Sequence, residues 1–252
     1  MNATNNKGFT LVELLVVIGI LGILSAALFP AITGAMLSAN MTAVGTRGKD
    51  IYVAIVASNT EREPLGLGNV WPKTIIPSGT DTAVKDISNT PFNNSSDYFY
   101  DLYDGENVGK TGHNPYVRGF DYSKLAGGGV TAKAGAGKLQ APNNMWTIGG
   151  NVRDTMEEIV PILVTRNLDC TSLYKNLETM VTTKLQFSKL YPEPFGEKGI
   201  VVVRKGGGIY SLKGRYCTVN LMYGNQSFKT TLEGSTEPAL TYLAPEGEQT
   251  PK

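Results

Sequence analysis

A chain of 252 residues with 41% hydrophobic side chains carries enough apolar material for one sizeable domain, which excludes disorder throughout. A formal net charge of +1 leaves no global field of either sign, so no nucleic-acid partner is expected and charge alone names no other. The single histidine, His113, excludes a His-rich metal site, and Cys170 and Cys217 stand too far apart for a CxxC redox or zinc-knuckle pattern.

Residues Met1 to Gly8 are short and polar, with Lys7 and the initiator amine as their positive charges. That asymmetry favours an N-terminus in the cytoplasm with the remainder sent across a membrane. From Leu11 to Ile32 the one ionisable side chain is Glu13, which leaves an apolar run long enough for the ~30 Å of a bilayer's hydrocarbon at helical rise. A carboxylate in such a run costs about 2.5–3.5 kcal/mol at the helix centre, less near its end, and so asks for a partner.

Gly8 followed by Phe9, Glu13 as the fifth residue from Phe9, and an unbroken apolar helix carrying Pro30 resemble the N-terminus of type IV pilins and type II secretion pseudopilins. The likeness covers roughly residues 7–35, and nothing of comparable strength lies beyond it. It implies that a prepilin peptidase cuts between Gly8 and Phe9 and methylates the new amino terminus. It also implies subunits extracted from the bacterial inner membrane by an assembly ATPase and a polytopic platform protein, into a filament of like subunits. With Phe9 freed, its ammonium and the Glu13 carboxylate of a neighbouring copy can pair inside a bundle of apolar helices. Opposite charges ~4 Å apart attract by about 4 kcal/mol at an effective dielectric near 20, which offsets much of the desolvation and sets the axial register. A secretory signal peptide cleaved near Ser25-Ala26-Ala27, or a plain single-pass anchor, would leave the Gly8-Phe9 junction and Glu13 unexplained.

The spacing of Leu37, Met41, Val44, Gly48, Ile51 and Ile55 predicts that the helix continues as an amphipathic element to about Asn59, reaching on the order of 75 Å from Phe9. Pro30 should bend or loosen it, and Gly34, Gly45 and Gly48 mark either close packing or flexibility. Residues 60–145 read as an irregular, loop-rich region, punctuated by Pro64, Pro72, Pro77, Pro91, Pro115 and Pro142. Within it Ser95–Asp104 reads as a short helix capped by Ser or Asp, and Ala126 to Lys138 as a mobile loop.

Residues 146–233 read as an antiparallel sheet region able to cover the apolar stripe. Its expected elements are a helix over 152–159, a strand over 161–167, a helix over 172–181, and strands over 184–190, 199–205 and 209–217, with 218–223 extending the sheet. The remainder, 234–252, reads as a flexible tail. The fold class is therefore α+β: a long pilin-like N-terminal helix, membrane-spanning over about 11–32, packed on a C-terminal antiparallel sheet with a long irregular insertion.

Candidate chemistry is sparse. Asp104 to Thr111 imitates a P-loop but lacks its first glycine, and no Ser/His/Asp set presents itself, so no catalytic residue is assigned and no enzyme is expected. Glu157 and Glu158, as helix neighbours, would point in different directions. Asp97, Asp101, Asp104, Glu106 and Asp121 form either a solvated acidic surface or an oxygen-rich Ca²⁺ site, for which Asp101, Asp104 and Glu106 are the candidates. The resemblance adds that major pseudopilins bind calcium in a loop of the globular domain, but no residue pattern of theirs is matched. The aromatic cluster from Tyr98 to Tyr122 is either core or a binding surface. Cys170 and Cys217 are either a disulfide, which an extracytoplasmic compartment permits, or two buried thiols. The expected function is a structural subunit of a type II secretion or type IV pilus-like filament. Its rivals are a membrane-anchored binding protein using loops 61–144 and a secreted enzyme.

Overall fold

The computed structural model describes residues 9–76, 86–104, 116–117, 120, 122–131, 134–135, 138–179, 181–229 and 238–252. The chain forms two compact units, Met1–Asn40 and Met41–Lys252. Helix α1 (Leu11–Arg62) contributes residues to both.

In the first unit α1 is apolar on every side, and the side chains of Leu11, Leu14, Val17, Ile18, Leu21, Leu24 and Leu28 are all exposed. A helix without a polar face has no soluble core to bury against here, which is the pattern of a membrane segment. Pro30 stands inside the helix without ending it. Thr33 Oγ1 donates back to Pro30 O at 2.9 Å, an i to i−3 bond within the same turn.

In the second unit α1 buries Met41, Val44, Gly45, Gly48, Ile51, Ile55 and Ser58, the stripe that the spacing predicts. The helix runs past Asn59 to Arg62 and into a tight turn over Glu63–Leu65, which Gly66 ends in the left-handed region at φ +70°. Gly45 and Gly48 are there for close approach. A Cβ at Gly48 would lie 2.6 Å from Trp146 Cη2 and 2.9 Å from Val203 Cγ2, and one at Gly45 would lie 2.8 Å from Ile209 Cγ2.

Helix α2 (Ser95–Asp104) forms where expected, but its cap is Asn94. Asn94 Oδ1 accepts from Asp97 N and Asn94 Nδ2 donates to Asp97 Oδ2, both at 2.8 Å. Ser95 is buried instead, its hydroxyl donating to Trp146 O. Strands β1 (Ala134–Gly135) and β2 (Lys138–Leu139) pair antiparallel in the stretch expected to be a loop.

The sheet follows, with β3 (Trp146–Gly150), β4 (Pro161–Thr165), β5 (Asn176–Leu177), β6 (Gly199–Arg204), β7 (Ile209–Lys213), helix α3 (Val219–Met222), β8 (Phe228–Lys229), β9 (Thr241–Leu243) and β10 (Glu248–Gln249). Six of these strands form one antiparallel sheet in the order β10-β9-β3-β4-β6-β7, and β5 pairs separately with β8. β3, β4 and β6 are buried at every position, so both faces of the sheet centre are covered, whereas edge strand β7 stays partly exposed.

Several expected elements differ. Residues 152–159 are turns, and 172–181 hold the short β5 in place of a helix, because pairing with β8 outweighs local propensity. Residues 184–190 make isolated bridges only, Lys184 to Thr218 and Phe187 to Leu168. The strand from Ile209 stops at Lys213, where Gly214 turns the chain at φ +49°. Residues 218–223 contain α3 and do not extend the sheet. The largest correction is the tail: β9 sits between β3 and β10, with Leu240, Tyr242 and Leu243 fully buried and Tyr242 Oη donating to Pro161 O. Pro238, Pro245 and Pro251 flank this strand and never interrupt it.

Two sets of polar contacts hold α1 within the second unit. On one flank Lys124 Nζ meets Asp50 Oδ2 at 2.8 Å, and Arg47 donates to Ala126 O. On the other, Lys49 Nζ donates to Gly207 O and Tyr52 Oη to Lys205 O.

Candidate functional site

The start of α1 is built by Thr10 and Glu13. Thr10 N and Thr10 Oγ1 donate to Glu13 Oε2 at 2.8 and 2.7 Å, and Glu13 N returns a bond to Thr10 Oγ1 at 3.3 Å. This is a reciprocal capping box: the N-cap hydroxyl accepts from the third helical residue's amide while that residue's carboxylate reaches back to the N-cap amide. It satisfies donors that the first turn of a helix otherwise leaves unpaired. The spacing Thr10-x-x-Glu13 carries that signal in the sequence, yet it draws no notice beside the distance from Phe9 to Glu13.

Both side-chain bonds converge on one carboxylate oxygen, so the box uses only part of the acceptor capacity of Glu13. A further cationic donor can therefore be accepted without dismantling it. Phe9 is 82% exposed and immediately precedes the cap, and the apolar side chains that follow are exposed in the single chain. The surroundings of Glu13 are set by whatever covers those side chains. Gly8 lies outside the described residues, as do the rest of the polar leader, Glu106, His113, Asp121 and the side chain of Asp104.

The remaining candidates separate into scaffold and surface. Asp101 is half-buried on α2, and Asp97 is engaged by Asn94. Among the described residues no group of three or more His, Cys, Asp and Glu side chains converges as a metal set would. Glu157 and Glu158 are exposed in a turn, where their carbonyls accept from Val160 N and Gly206 N. Tyr98, Phe99 and Phe120 are core: Phe99 and Phe120 stack with centroids 5.8 Å apart, Phe92 meets Tyr98 edge-on at 5.3 Å, and Tyr98 Oη donates to Val70 O. A groove of about 990 Å³ opens elsewhere, lined by residues between Asp169 and Gln249, none of them from the 61–144 loops.

Cys170 and Cys217 are both buried and free. The bridged alternative fails on topology. The extended stretch Lys184–Phe187 runs between them, taking Asp169 N on Gln186 O on one side and giving Leu185 N to Cys217 O on the other. Backbones on either side of an intervening strand lie two strand spacings apart, about 9–10 Å, beyond the ~7 Å that a disulfide spans between Cα atoms. Burial, with Asp169 and Glu246 nearby, pushes the Cys170 thiol well above its ordinary value, and burial raises that of Cys217, so neither is a ready nucleophile. The native protein should take up no iodoacetamide at neutral pH, while the denatured chain takes up two equivalents without reductant. A denatured chain that needs reductant before it reacts would disprove the free-thiol arrangement.

Comparison with known families places the segment around this site. The description "prokaryotic N-terminal methylation motif" matches residues 3–29. The chain thus carries a type IV pilin or pseudopilin-like prepilin segment, the mark of a prepilin-peptidase substrate. The motif belongs to structural, pilin-type proteins and not to an enzyme family, and the apolar helix it covers fits a membrane anchor. No curated protein and no solved structure matches the chain.

Proposed function

We propose that this protein is a structural subunit of a filament, either a type II secretion pseudopilus or a type IV pilus-like fibre, assembled through the first part of α1. The observation that carries the reading is Glu13, at the third position of α1 and the one carboxylate in its apolar first part from Leu11 to Ile32, within the methylation motif. In this reading prepilin peptidase removes residues 1–8 and methylates Phe9. The subunit waits in the bacterial inner membrane with its N-terminus cytoplasmic and residues 41–252 on the far side.

On assembly the Phe9 ammonium of one copy meets Glu13 of another. An ion pair of about 4 kcal/mol at an effective dielectric near 20 is lost if neighbouring helices slip by a turn, so the charge acts as a ruler along an otherwise featureless apolar bundle. The rest of the surface needs no such code, because the apolar side chains pack with little preference for register. An assembly ATPase and a platform protein supply the work of extraction, and extension of the filament pushes cargo or displays the folded units. No residue turns over a substrate.

Mass spectrometry of the chain from the membrane and sheared-surface fractions tests the processing. The expected terminus is N-methylated Phe9, with the first eight residues gone. A chain beginning near Leu28, or one retaining Met1 in assembled material, would overturn the reading.

A further inference from the structure

Within the second unit, α1 lies parallel to β6. Met41 reaches the start of that strand at Gly199, Gly45 faces Val201, Gly48 faces Val203, and Tyr52 bonds Lys205 at its far end. This register sorts two surface features to opposite ends of the unit, separated by the ~30 Å of helix between Met41 and Arg62.

At the Arg62 end is a tip that displays Glu61, Glu63, Leu65 and Leu67, with Leu65 71% and Leu67 47% exposed. It is built before any contact is made. Gly66 N donates to Glu63 O at 3.0 Å, Leu67 N to Arg62 O at 3.2 Å, and Arg62 Nε to Gly68 O at 2.8 Å. Arg62 is meanwhile paired with Asp86 at 2.6 Å, so its charge is spoken for and the two exposed glutamates leave the tip acidic. A preformed loop showing two leucines to solvent has already met its ordering cost.

At the Gly199 end is the groove of about 990 Å³, at the top of the roughly 300–1,000 Å³ range of ligand clefts. It is bounded by Gly214 and Arg215 just after β7 and by Glu197 just before β6, with Lys184 and Lys189 completing a cationic rim. Leu185 and Phe187 line it, and Leu190 stands at its edge 68% exposed. Three cations, Lys184, Lys189 and Arg215, face two acids, Asp169 and Glu197, which leaves the lining with a net charge of +1.

We infer that the acidic leucine tip of one copy seats in the cationic, leucine-edged groove of the next. The two features match in both charge and apolar character, and copies that all point the same way out of one membrane, as the filament reading has them, can satisfy both only head to tail. Such a heterologous contact repeats along one direction and generates an open polymer. Charge complementarity sets which face meets which, and the leucines supply the area. This rests on the filament reading and adds to it a contact between folded units, independent of the apolar helix bundle.

The test uses the full chain. Copies bearing Leu65→Cys and copies bearing Leu190→Cys are co-expressed, the sheared polymer is pelleted, and a short bismaleimide is added; the native thiols are buried. The expected result is a cross-linked dimer in the mixture alone and a ladder when one chain carries both cysteines. Pairing Leu190→Cys with Glu178→Cys, an exposed site on β5's trailing side, should give none. Reversing Glu61 and Glu63 to lysine should lower cross-linking about tenfold, as for charge pairs that steer docking. Polymer that pellets normally without the cross-link, or that links equally well through the Glu178 site, overturns the contact and leaves the filament reading standing. Absence of any polymer from the unmodified chain removes both.

Discussion

Glu13→Ala should reduce pelletable polymer by at least about tenfold while the chain is still cut at Gly8-Phe9 and still inserted in the membrane, because a register term of a few kcal/mol per subunit is lost. Alanine also removes the carboxylate half of the capping box, the bonds from Thr10 N and Thr10 Oγ1, while the amide of residue 13 still donates to Thr10 Oγ1. Glu13→Gln separates the two effects. Its amide oxygen still accepts from Thr10 N and Thr10 Oγ1, so the helix start survives, but it carries no charge for an ammonium. Charge pairing predicts that Gln assembles nearly as poorly as Ala. Capping alone predicts that Gln assembles like the natural protein, and that outcome in a sedimentation assay would sink the ion-pair account. Thr10→Val gives the complementary measurement, weakening the box while leaving the carboxylate in place, and should affect assembly far less than either Glu13 variant.

Trp146→Ala should destabilise the second unit by about 3–5 kcal/mol, the range for deleting a large buried aromatic. That is a large part of the 5–15 kcal/mol that separates a folded domain from its unfolded state. Trp146 is fully buried, its ring fills the space that Gly48 leaves open on α1, its Nε1 donates to Lys124 O, and its backbone carbonyl accepts from Ser95 Oγ. One residue therefore joins the helix, the sheet, the Lys124 loop and α2. Trp146→Phe, which keeps part of the ring but not the Nε1 bond, should fall between the two. Urea unfolding of the purified full chain in detergent reads the difference. A Trp146→Ala unfolding free energy within about 1 kcal/mol of the natural protein's would show that the helix is held by its flanking polar contacts instead.

The uneven legibility of the fold follows from how far each signal reaches. Periodicity over Met41 to Ile55 is local and repeated, so the buried stripe of α1 comes straight from spacing. Ser95–Asp104 is similarly local, although its cap is Asn94, one residue earlier than the serines that invite the role. Residues 172–181 and 218–223 go the other way. Their local preferences point to a helix and a strand, and partners distant in sequence reverse both. β9 is three residues long between prolines, too short for any pattern to register, yet it pairs on both edges with β3 and β10.

What the sequence by itself determined is the membrane-capable helix, the processing motif and the buried face of α1, because each depends on residues close together along the chain. Only the tertiary structure decided that the last residues belong to the sheet, that Lys184–Phe187 keeps Cys170 and Cys217 apart, and that the tip and the groove stand at opposite ends of one unit. Those outcomes depend on strand order and on the register of α1 along β6, which are set by backbone pairing and close packing between residues distant in sequence, such as Ile148 with Leu243 and Gly48 with Val203.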